Sequence, residues 1–261
     1  MDAALWVAKT GLDAQNSRLQ VITNNLANVN TTGFKRSRAV FEDLLYQNMR
    51  QPGAQNAQDM LLPSGLQMGT GSRLVSTQKI FQEGPIVTTN VQLDAAINGR
   101  GFFQILQPDG TLAYTRDGTF HLDDQGRLVT ALGLPLQPEI TIPDNAQSIA
   151  IGADGTVSVS LPGDPVPDQV GTIQLADFIN PAGLQPIGDN LYLETQSSGP
   201  PNLGDPAFDG FGAILQGALE QSNVNVVEEL VSMIEAQRAY EMSARGIQTV
   251  DQMLQFLTQN V

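Results

Sequence analysis

The chain has 261 residues, 41% of them apolar, which is enough for one sizeable domain with a buried core. Its net charge of −14 repels phosphate backbones and anionic lipid headgroups, so binding to nucleic acid or to a membrane surface is not expected. There is no cysteine, which excludes disulfides, thiolate metal sites and cysteine nucleophiles.

The N-terminal end carries a seven-residue repeat of apolar side chains. A row of leucines recurs every seven residues, and a second row lies three residues further on, at Ala8, Gln15, Ile22 and Val29. Because heptad positions a and d share one face of a helix, the repeat predicts a helix with a coiled-coil seam that ends between Asn28 and Gly33. The predicted N-terminal assembly seam consists of Leu5, Leu12, Leu19, Ile22, Leu26 and Val29.

Residues 31–88 are predicted to be a linker, and its central part, 47–71, is rich in Gln, Gly and Pro. This central part is too polar for a core and too long for an ordinary connection. Segments of that kind are either functional or disordered, and the sequence alone does not choose between the two.

The middle of the chain, residues 89–205, is predicted to be an antiparallel β domain. Asp-Gly pairs are strong signals for hairpin turns, and they stand at Asp109-Gly110, Asp117-Gly118 and Asp154-Gly155. Runs of strand-forming residues lie at 101–106, 112–115, 119–122, 156–161, 171–178 and 190–194.

After a predicted return linker at 206–222, the C-terminal end shows the heptad pattern again. Ser222 or Asn223 is predicted to be the N-cap, with acidic residues close behind it to suit the helix dipole. A companion row begins with Glu229, a poor seam residue, and continues with Ala236, Ser243, Val250 and Leu257. The predicted C-terminal assembly seam consists of Val226, Met233, Tyr240, Ile247 and Leu254.

The two ends also carry opposite charge. Residues 1–38 hold five basic and two acidic side chains, a balance of +3, and residues 223–261 hold two basic and five acidic ones, a balance of −3. Such charges would steer the ends together, but they are equally compatible with solvated faces. The predicted fold is α+β and discontinuous, with helices at 1–30 and 223–261 that pair as a coiled-coil domain and a central antiparallel all-β domain.

No constellation of residues predicts catalysis. His121 is the only histidine and lies in a predicted strand, so it is interpreted as a structural or surface residue. Residues 99–101 and 69–71 lack the rest of a nucleotide-binding loop, and 123–126 lack the ligand spacing of a calcium loop, so all three are predicted turns. A catalytic pair of carboxylates is not excluded by pattern, because acidic residues are plentiful. No catalytic, cofactor-binding or metal site is predicted.

Specific stretches at both ends resemble the signatures of flagellar rod and hook proteins. Gly-Leu-Asp-Ala-Gln at 11–15 and Asn-Asn-Leu-Ala-Asn-Val-Asn-Thr-Thr-Gly-Phe-Lys at 24–35 resemble the N-terminal signature. Residues 222–224, 229–234 and 236–241 resemble the C-terminal one. In the middle, 41–46, 50–55 and 62–67 are similar to the distal-rod members of this family. Gly246 departs from the family pattern, which usually has another residue there.

The resemblance implies a structural subunit of the distal rod that polymerises into a rigid hollow helical tube and transmits motor torque to the hook. The terminal helices would form the inner domain of the tube. The implied partners are copies of the chain, other rod and hook subunits, the outer ring (bushing) proteins and the flagellar export apparatus, with no cofactor, nucleic acid or small-molecule substrate. The implied location is the basal-body rod in the periplasm, reached by export without a cleavable signal peptide.

Residues 47–71 resemble the segment that distinguishes the rigid distal rod from the flexible hook in this family. This rod-specific segment is represented by Gln51, Pro52, Gly53, Pro63 and Gly65. Alternative interpretations are another flagellar axial protein (a proximal rod or hook subunit), an enzyme acting on the cell wall, and a monomer whose two helices form an intramolecular hairpin.

Overall fold

The computed structural model describes residues 2–51, 55–57, 60–61, 64–163 and 166–259, and the chain divides into two compact units. The terminal unit consists of Met1–Ala27, Ser37–Gln78 and Asn225–Val261. The β unit consists of Asn28–Arg36 and Lys79–Val224. Both units are therefore discontinuous in sequence, because the chain enters the β unit twice.

The terminal unit contains the two long helices that the heptad rows predict. Helix α1 (Asp2–Ala27) has 26 residues and helix α2 (Val226–Gln259) has 34. Helix α1 ends directly before the asparagine-rich stretch that was predicted to stop it. Two terminal helices on either side of a central β domain in sequence are thus confirmed, whereas the supercoiling of the two helices stays a prediction.

The N-cap of α2 is not one of the two residues predicted. Asn225 is the cap, because its side-chain Oδ1 accepts hydrogen bonds from the backbone N–H groups of Val227 (3.1 Å) and Glu228 (3.4 Å). The prediction of Ser222 or Asn223 was wrong because both side chains bind elsewhere. The Ser222 hydroxyl accepts from the amide of Val224, and Asn223 binds backbone groups of the β unit.

The described residues between 37 and 79, in the segment predicted as a linker, form six strands. They are β1 (Ser37–Asp43), β2 (Gln47–Arg50), β3 (Gln55–Ala57), β4 (Met60–Leu61), β5 (Leu66–Met68) and β6 (Ser72–Lys79). The pairs are nested, β1 with β6, β2 with β5 and β3 with β4. Nested pairs are the pattern of one long two-stranded ribbon, and two of the pairs carry register irregularities.

The described part of the β unit contains sixteen strands. They are β7 (Ile86–Thr88), β8 (Ala95–Asn98), β9 (Phe102–Leu106), β10 (Leu112–Thr115), β11 (Phe120–Leu122), β12 (Leu128–Thr130), β13 (Leu136–Gln137), β14 (Ser148–Ile151), β15 (Thr156–Ser160), β16 (Asp168–Thr172), β17 (Leu175–Asp177), β18 (Gln185–Gly188), β19 (Leu191–Leu193), β20 (Asn202–Gly204), β21 (Ala213–Gln216) and β22 (Ala218–Glu220). A short 3₁₀-helix at Pro181–Gly183 precedes β18.

These strands pair antiparallel, as predicted. The largest sheet has the order β18-β19-β10-β9-β17-β20, with β13 also paired to β9. A second sheet has the order β14-β15-β16, and the remaining pairs are β11 with β12, β8 with β21 and β7 with β22. Strands β21 and β22 lie within residues 206–222, so this stretch contributes to the β unit.

Strand β9 is the centre of the β unit because side chains cover both of its faces. Phe103 and Ile105 belong to the main apolar core. Phe102 points into a second, aromatic cluster and meets the ring of Phe178 edge-on at 5.9 Å. For this reason four consecutive side chains of the strand are buried, including that of Gln104, and burial does not alternate.

Two of the three Asp-Gly pairs form the predicted hairpin turns. Asp109-Gly110 connects β9 to β10, and Asp154-Gly155 connects β14 to β15. The hairpin predicted at Asp117-Gly118 was wrong, because β10 pairs with β9 and β19 while β11 pairs with β12. Gly118 instead allows two backbone segments to lie close together, because a Cβ at this position would be 1.6 Å from the carbonyl oxygen of Ala95.

Candidate assembly surface

Helices α1 and α2 pack against each other in opposite directions. Asn25, near the end of α1, donates a hydrogen bond from Nδ2 to Glu229 Oε1 at 3.2 Å, near the start of α2. Arg18 lies about two turns before Asn25 in α1, and its guanidinium is 3.5 Å from the carboxylate of Glu235, which comes after Glu229 in α2. The two contacts run backward along one helix and forward along the other, so the pair is antiparallel.

The second heptad row of each helix contributes buried side chains to this pair. On α1 that row contains buried Ile22, and on α2 it contains buried Glu229 and buried Ala236. Ser243 and Val250 continue the α2 row and are half-buried. The contact between the helices therefore includes the companion rows, with the leucine row of α1 at its flank. It also includes Asn25, which lies in neither row and is the most buried of the described α1 side chains.

The predicted seam residues are placed accordingly. In the N-terminal set Ile22 is buried and the other five residues are half-buried: Leu5, Leu12, Leu19, Leu26 and Val29. Val29 lies beyond the end of α1, in the β unit. In the C-terminal set Met233 and Ile247 are half-buried, whereas Val226 and Tyr240 are exposed. The side chain of Leu254 lies outside the described residues.

A polar contact stands where an apolar seam was expected. Asn25 is only 1% exposed and Glu229 only 7% exposed. Asn25 also bridges the backbone of Ser37, donating to its carbonyl oxygen and accepting from its amide, each at 2.9 Å. One asparagine thus connects α1, α2 and the first strand of the ribbon. The sequence signal for this contact was the acidic residue at the head of an otherwise apolar row.

Helix α2 has a second group of apolar side chains, and the described part of the chain leaves them exposed. Its members are exposed, and at 3.6 residues per turn they lie about 180° around the helix from Glu229 and Ala236. They are Val227, Leu230, Val231, Ile234, Met242 and Met253. A helix that is apolar on two opposite faces is typical of an element buried inside a larger assembly.

The ribbon carries a further group of exposed apolar side chains. They lie on β2, on β5 and on the turn before β2: Leu45, Tyr46, Met49, Leu66 and Met68. Of the predicted rod-specific residues, Gln51 is exposed and Gly65 is half-buried. Pro52, Gly53 and Pro63 lie outside the described residues.

The base of the ribbon packs closely on α1. Gly71 has a positive φ of 114°, and a Cβ at this position would lie 2.0 Å from the side-chain oxygen of Thr10. The Gly71 carbonyl oxygen also accepts the amide hydrogen of Leu44 at 2.8 Å, across the ribbon. Only glycine fits there, so the predicted turn at 69–71 lies at a contact between helix and ribbon.

Family models match three regions of the chain. A model described as a flagella basal body rod protein matches residues 5–35, which include most of α1. The model of the flagellar hook protein FlgE/F/G D1 domain matches 96–159, in the β unit. The model of the flagellar basal body rod FlgEFG protein C-terminal matches 215–260, which include α2.

Full-length relatives decide the family. The chain is 56% identical to the flagellar basal-body rod protein FlgG of Buchnera aphidicola subsp. Schizaphis graminum, over 99% of this chain and 100% of the relative. The chain belongs to the flagellar basal-body rod protein family. The chain is 49% identical to the FlgG of Caulobacter vibrioides, with 98% of each chain covered. It is 36% identical to the FlgF of the same organism, over 94% of this chain and 92% of the relative.

The family membership determines the class of protein. This rod-family chain is a structural subunit of the flagellar rod, of the distal-rod type represented by FlgG, and not an enzyme. Within one organism the identity to FlgG is higher than that to FlgF, which favours the FlgG type over the FlgF type. Its place is the flagellar basal body, in an assembly of axial subunits.

His121 is an exposed residue of β11. Among the residues that the structure describes, no three His, Asp or Glu side chains are grouped to hold a metal ion. Within the same residues, neither helix has a stretch apolar enough for a membrane span.

Proposed function

We propose that this rod subunit polymerises through the uncovered apolar face of α2 and the exposed ribbon, building a rigid hollow tube that transmits torque to the hook. The observation that carries this proposal is the pair of opposite apolar faces on α2, one packed on α1 and one exposed. A second copy of the chain is the occupant that fits, because the terminal helices of each subunit would then line the bore of the tube.

The energetics favour burial of this face on assembly. Covering a fully exposed Val, Leu, Ile or Met side chain contributes roughly 1.5–3 kcal/mol. The six exposed residues of the face together contribute on the order of several kcal/mol, which is offset in part by the cost of ordering two subunits. The net charge of −14 opposes self-association, so a local apolar contact has to supply the attraction.

The experiment removes the face without touching the contact between α1 and α2. The triple variant Val227→Ser, Val231→Ser, Ile234→Ser changes only exposed side chains, so the monomer should fold normally and tube formation should be lost. The matched control is Gln237→Ser, Glu241→Ser, Gln248→Ser, three exposed polar positions of the same helix. Electron microscopy and sedimentation measure the tubes; normal tubes from the apolar triple variant would overturn the proposal.

We further infer that residues 47–71 make the rod stiff by inserting between neighbouring subunits. The support is the exposed apolar side chains of the ribbon, which a monomer has no reason to present to water. Deleting 47–71 should give tubes that bend under electron microscopy, while the α1–α2 contacts stay intact. Straight tubes of unchanged persistence length would contradict this inference.

The remaining partners are proposed from the family alone. They are other rod and hook subunits above and below, the ring proteins that surround the rod, and the flagellar export apparatus that would deliver the chain to the periplasm. Co-purification of each with the assembled rod is the direct test.

A further inference from the structure

Three charged side chains are buried together inside the β unit. Lys35 and Glu220 are 0% exposed and Arg116 is 5% exposed. One carboxylate oxygen of Glu220 lies 2.5 Å from Lys35 Nζ, and the other lies 3.3 Å from an Arg116 guanidinium nitrogen. We call these three residues the ion cluster.

The ion cluster joins parts of the chain that are far apart in sequence. Lys35 belongs to the segment 28–36, Arg116 follows β10, and Glu220 is the last residue of β22. Lys35 and Glu220 are separated by 185 residues, and Arg116 and Glu220 by 104. The cluster is complete only when the segment that follows α1 and the segment that precedes α2 are both docked on the β unit.

The two cations depend on Glu220. Burial lowers the pKa of the Lys35 ammonium group, Arg116 lowers it further, and Glu220 opposes both effects. Burial also lowers the pKa of the Arg116 guanidinium, and Glu220 again opposes this. Glu83 favours both cations from a greater distance, but it is an exposed residue. Without Glu220, the site would bury two like charges with no buried counter-charge, which is strongly unfavourable.

Backbone contacts connect the same two segments. The amide of Gly33 donates to the carbonyl oxygen of Glu220 at 2.8 Å. The amide of Arg36 donates to Asn223 Oδ1 at 2.7 Å, and the Asn223 side chain also donates to the carbonyl oxygen of Ile80. The position of segment 28–36 on the β unit thus depends on residues 220–223 through both charge and backbone hydrogen bonds.

We propose that Glu220 sets an order of folding: segment 28–36 docks on the β unit only after strand β22 is in place. The physical reason is that Lys35 enters a site already lined by Arg116, and this entry is favourable only once the carboxylate is there. The consequence is that the end of α1 is not fixed until the C-terminal part of the chain has arrived. The helices of one chain therefore pair after its β unit is complete. This inference does not depend on the proposed polymerisation.

The test uses four full-length proteins and amide hydrogen exchange of the Gly33 and Arg36 backbones. Glu220→Gln keeps the shape of the side chain but leaves both cations without their counter-charge, so these two amides should exchange at least tenfold faster. Adding Lys35→Met to Glu220→Gln should restore most of the protection, because one buried cation is gone. Glu139→Gln, at an exposed carboxylate of the β unit outside the ion cluster, is the matched control and should leave the exchange unchanged.

The rescue separates charge balance from simple loss of contacts. If the double variant exchanges as fast as Glu220→Gln or faster, the proposal is overturned, because lost hydrogen bonds then explain the result. If Glu220→Gln does not fold, recovery of the β-sheet signal in the double variant supports the proposal, and failure of both variants to fold counts against it. Pulse-labelled refolding gives the order directly: protection of Gly33 and Arg36 before the β7–β22 ladder would also overturn it.

Discussion

Gly33 and Gly246 show how differently a glycine can matter at the scale of one residue. Gly33 has a φ of 67°, and a Cβ there would lie 2.7 Å from the amide nitrogen of Asp117. Gly246 lies within α2, is exposed, and has no atom within 4 Å of its would-be Cβ. The signature glycine is thus required by backbone geometry, whereas the glycine that departs from the family pattern is not.

Alanine at these two positions should therefore have opposite effects. Gly246→Ala should stabilise α2 by about 1 kcal/mol, the difference in helix propensity between the two residues. Gly33→Ala should destabilise the β unit by more than about 1 kcal/mol, because a left-handed backbone and a steric clash add. Urea unfolding followed by circular dichroism measures both. A destabilised Gly246→Ala protein would show that the helix needs flexibility at this point.

The buried lysine makes a prediction about pH. Burial is the main cause that lowers the pKa of the Lys35 ammonium group from its ordinary value of 10.5; Arg116 adds to this, and Glu220 and Glu83 oppose it. Between the lowered pKa and 10.5 the unfolded chain binds more protons at Lys35 than the folded chain, so stability from this group rises with pH. The difference in free energy of unfolding between wild type and Lys35→Met should increase toward pH 10.5. A difference that falls over this range would contradict the assignment.

At the scale of elements, the helix pair contains two polar contacts of different worth. Asn25 and Glu229 are buried, whereas Arg18 and Glu235 are 38% and 64% exposed at their side chains. A buried hydrogen bond to a charged group contributes about 1.5–3 kcal/mol, and an exposed ion pair contributes about 0–1 kcal/mol. The buried contact is also the one that fixes the relative position of the helices, as a single buried polar residue does in coiled coils.

A double-mutant cycle with leucine at both positions should separate the two contacts. The coupling energy between Asn25→Leu and Glu229→Leu should exceed about 1 kcal/mol, whereas that between Arg18→Leu and Glu235→Leu should stay below about 0.5 kcal/mol. Asn25→Leu alone should cost more than Glu229→Leu alone, because only Asn25 also bridges the Ser37 backbone. Equal coupling in the two cycles would mean that the buried contact does not set the register.

Local patterns predicted the elements, while long-range contacts determined what the elements do. The heptad rows predicted both helices, and the turn at Asp109-Gly110 predicted the hairpin of β9 and β10, because these signals act within a few residues. The role of Gly118 was missed, since it depends on the approach of the distant Ala95. For the same reason the sequence did not predict the ion cluster, whose members are ordinary surface residue types until the fold brings them together.

The candidate surface was predictable only in part. The repeat of seven predicted apolar faces on the terminal helices, but period alone does not say which row faces the partner helix. The structure places the companion rows in the contact and leaves a separate face of α2 exposed. The signal that could have found the contact was Glu229, because an acidic residue in an apolar row calls for a specific buried partner such as Asn25.

At the scale of the whole molecule, the charge is distributed unevenly between the two units. The β unit holds six basic and seventeen acidic residues, a balance of −11 out of the −14 of the chain. Lys35 and Arg116, two of the six cations, are buried. Neighbouring copies in a polymer would therefore bring strongly acidic surfaces close together, and this repulsion opposes the apolar contact of the terminal helices.

Salt should accordingly speed up assembly. The Debye length falls from about 8 Å at 0.15 M to about 3 Å at 1 M, so repulsion between acidic β units is screened while the apolar contact is not weakened. The lag before tube formation, followed by light scattering, should shorten roughly severalfold when sodium chloride is raised from about 0.1 M to about 0.5 M. The Val227→Ser, Val231→Ser, Ile234→Ser protein should not assemble at either concentration, because it lacks the apolar contact that holds the subunits together once salt has screened their repulsion. Slower assembly of the wild type at high salt would show that ion pairs between subunits, rather than apolar side chains, drive polymerisation.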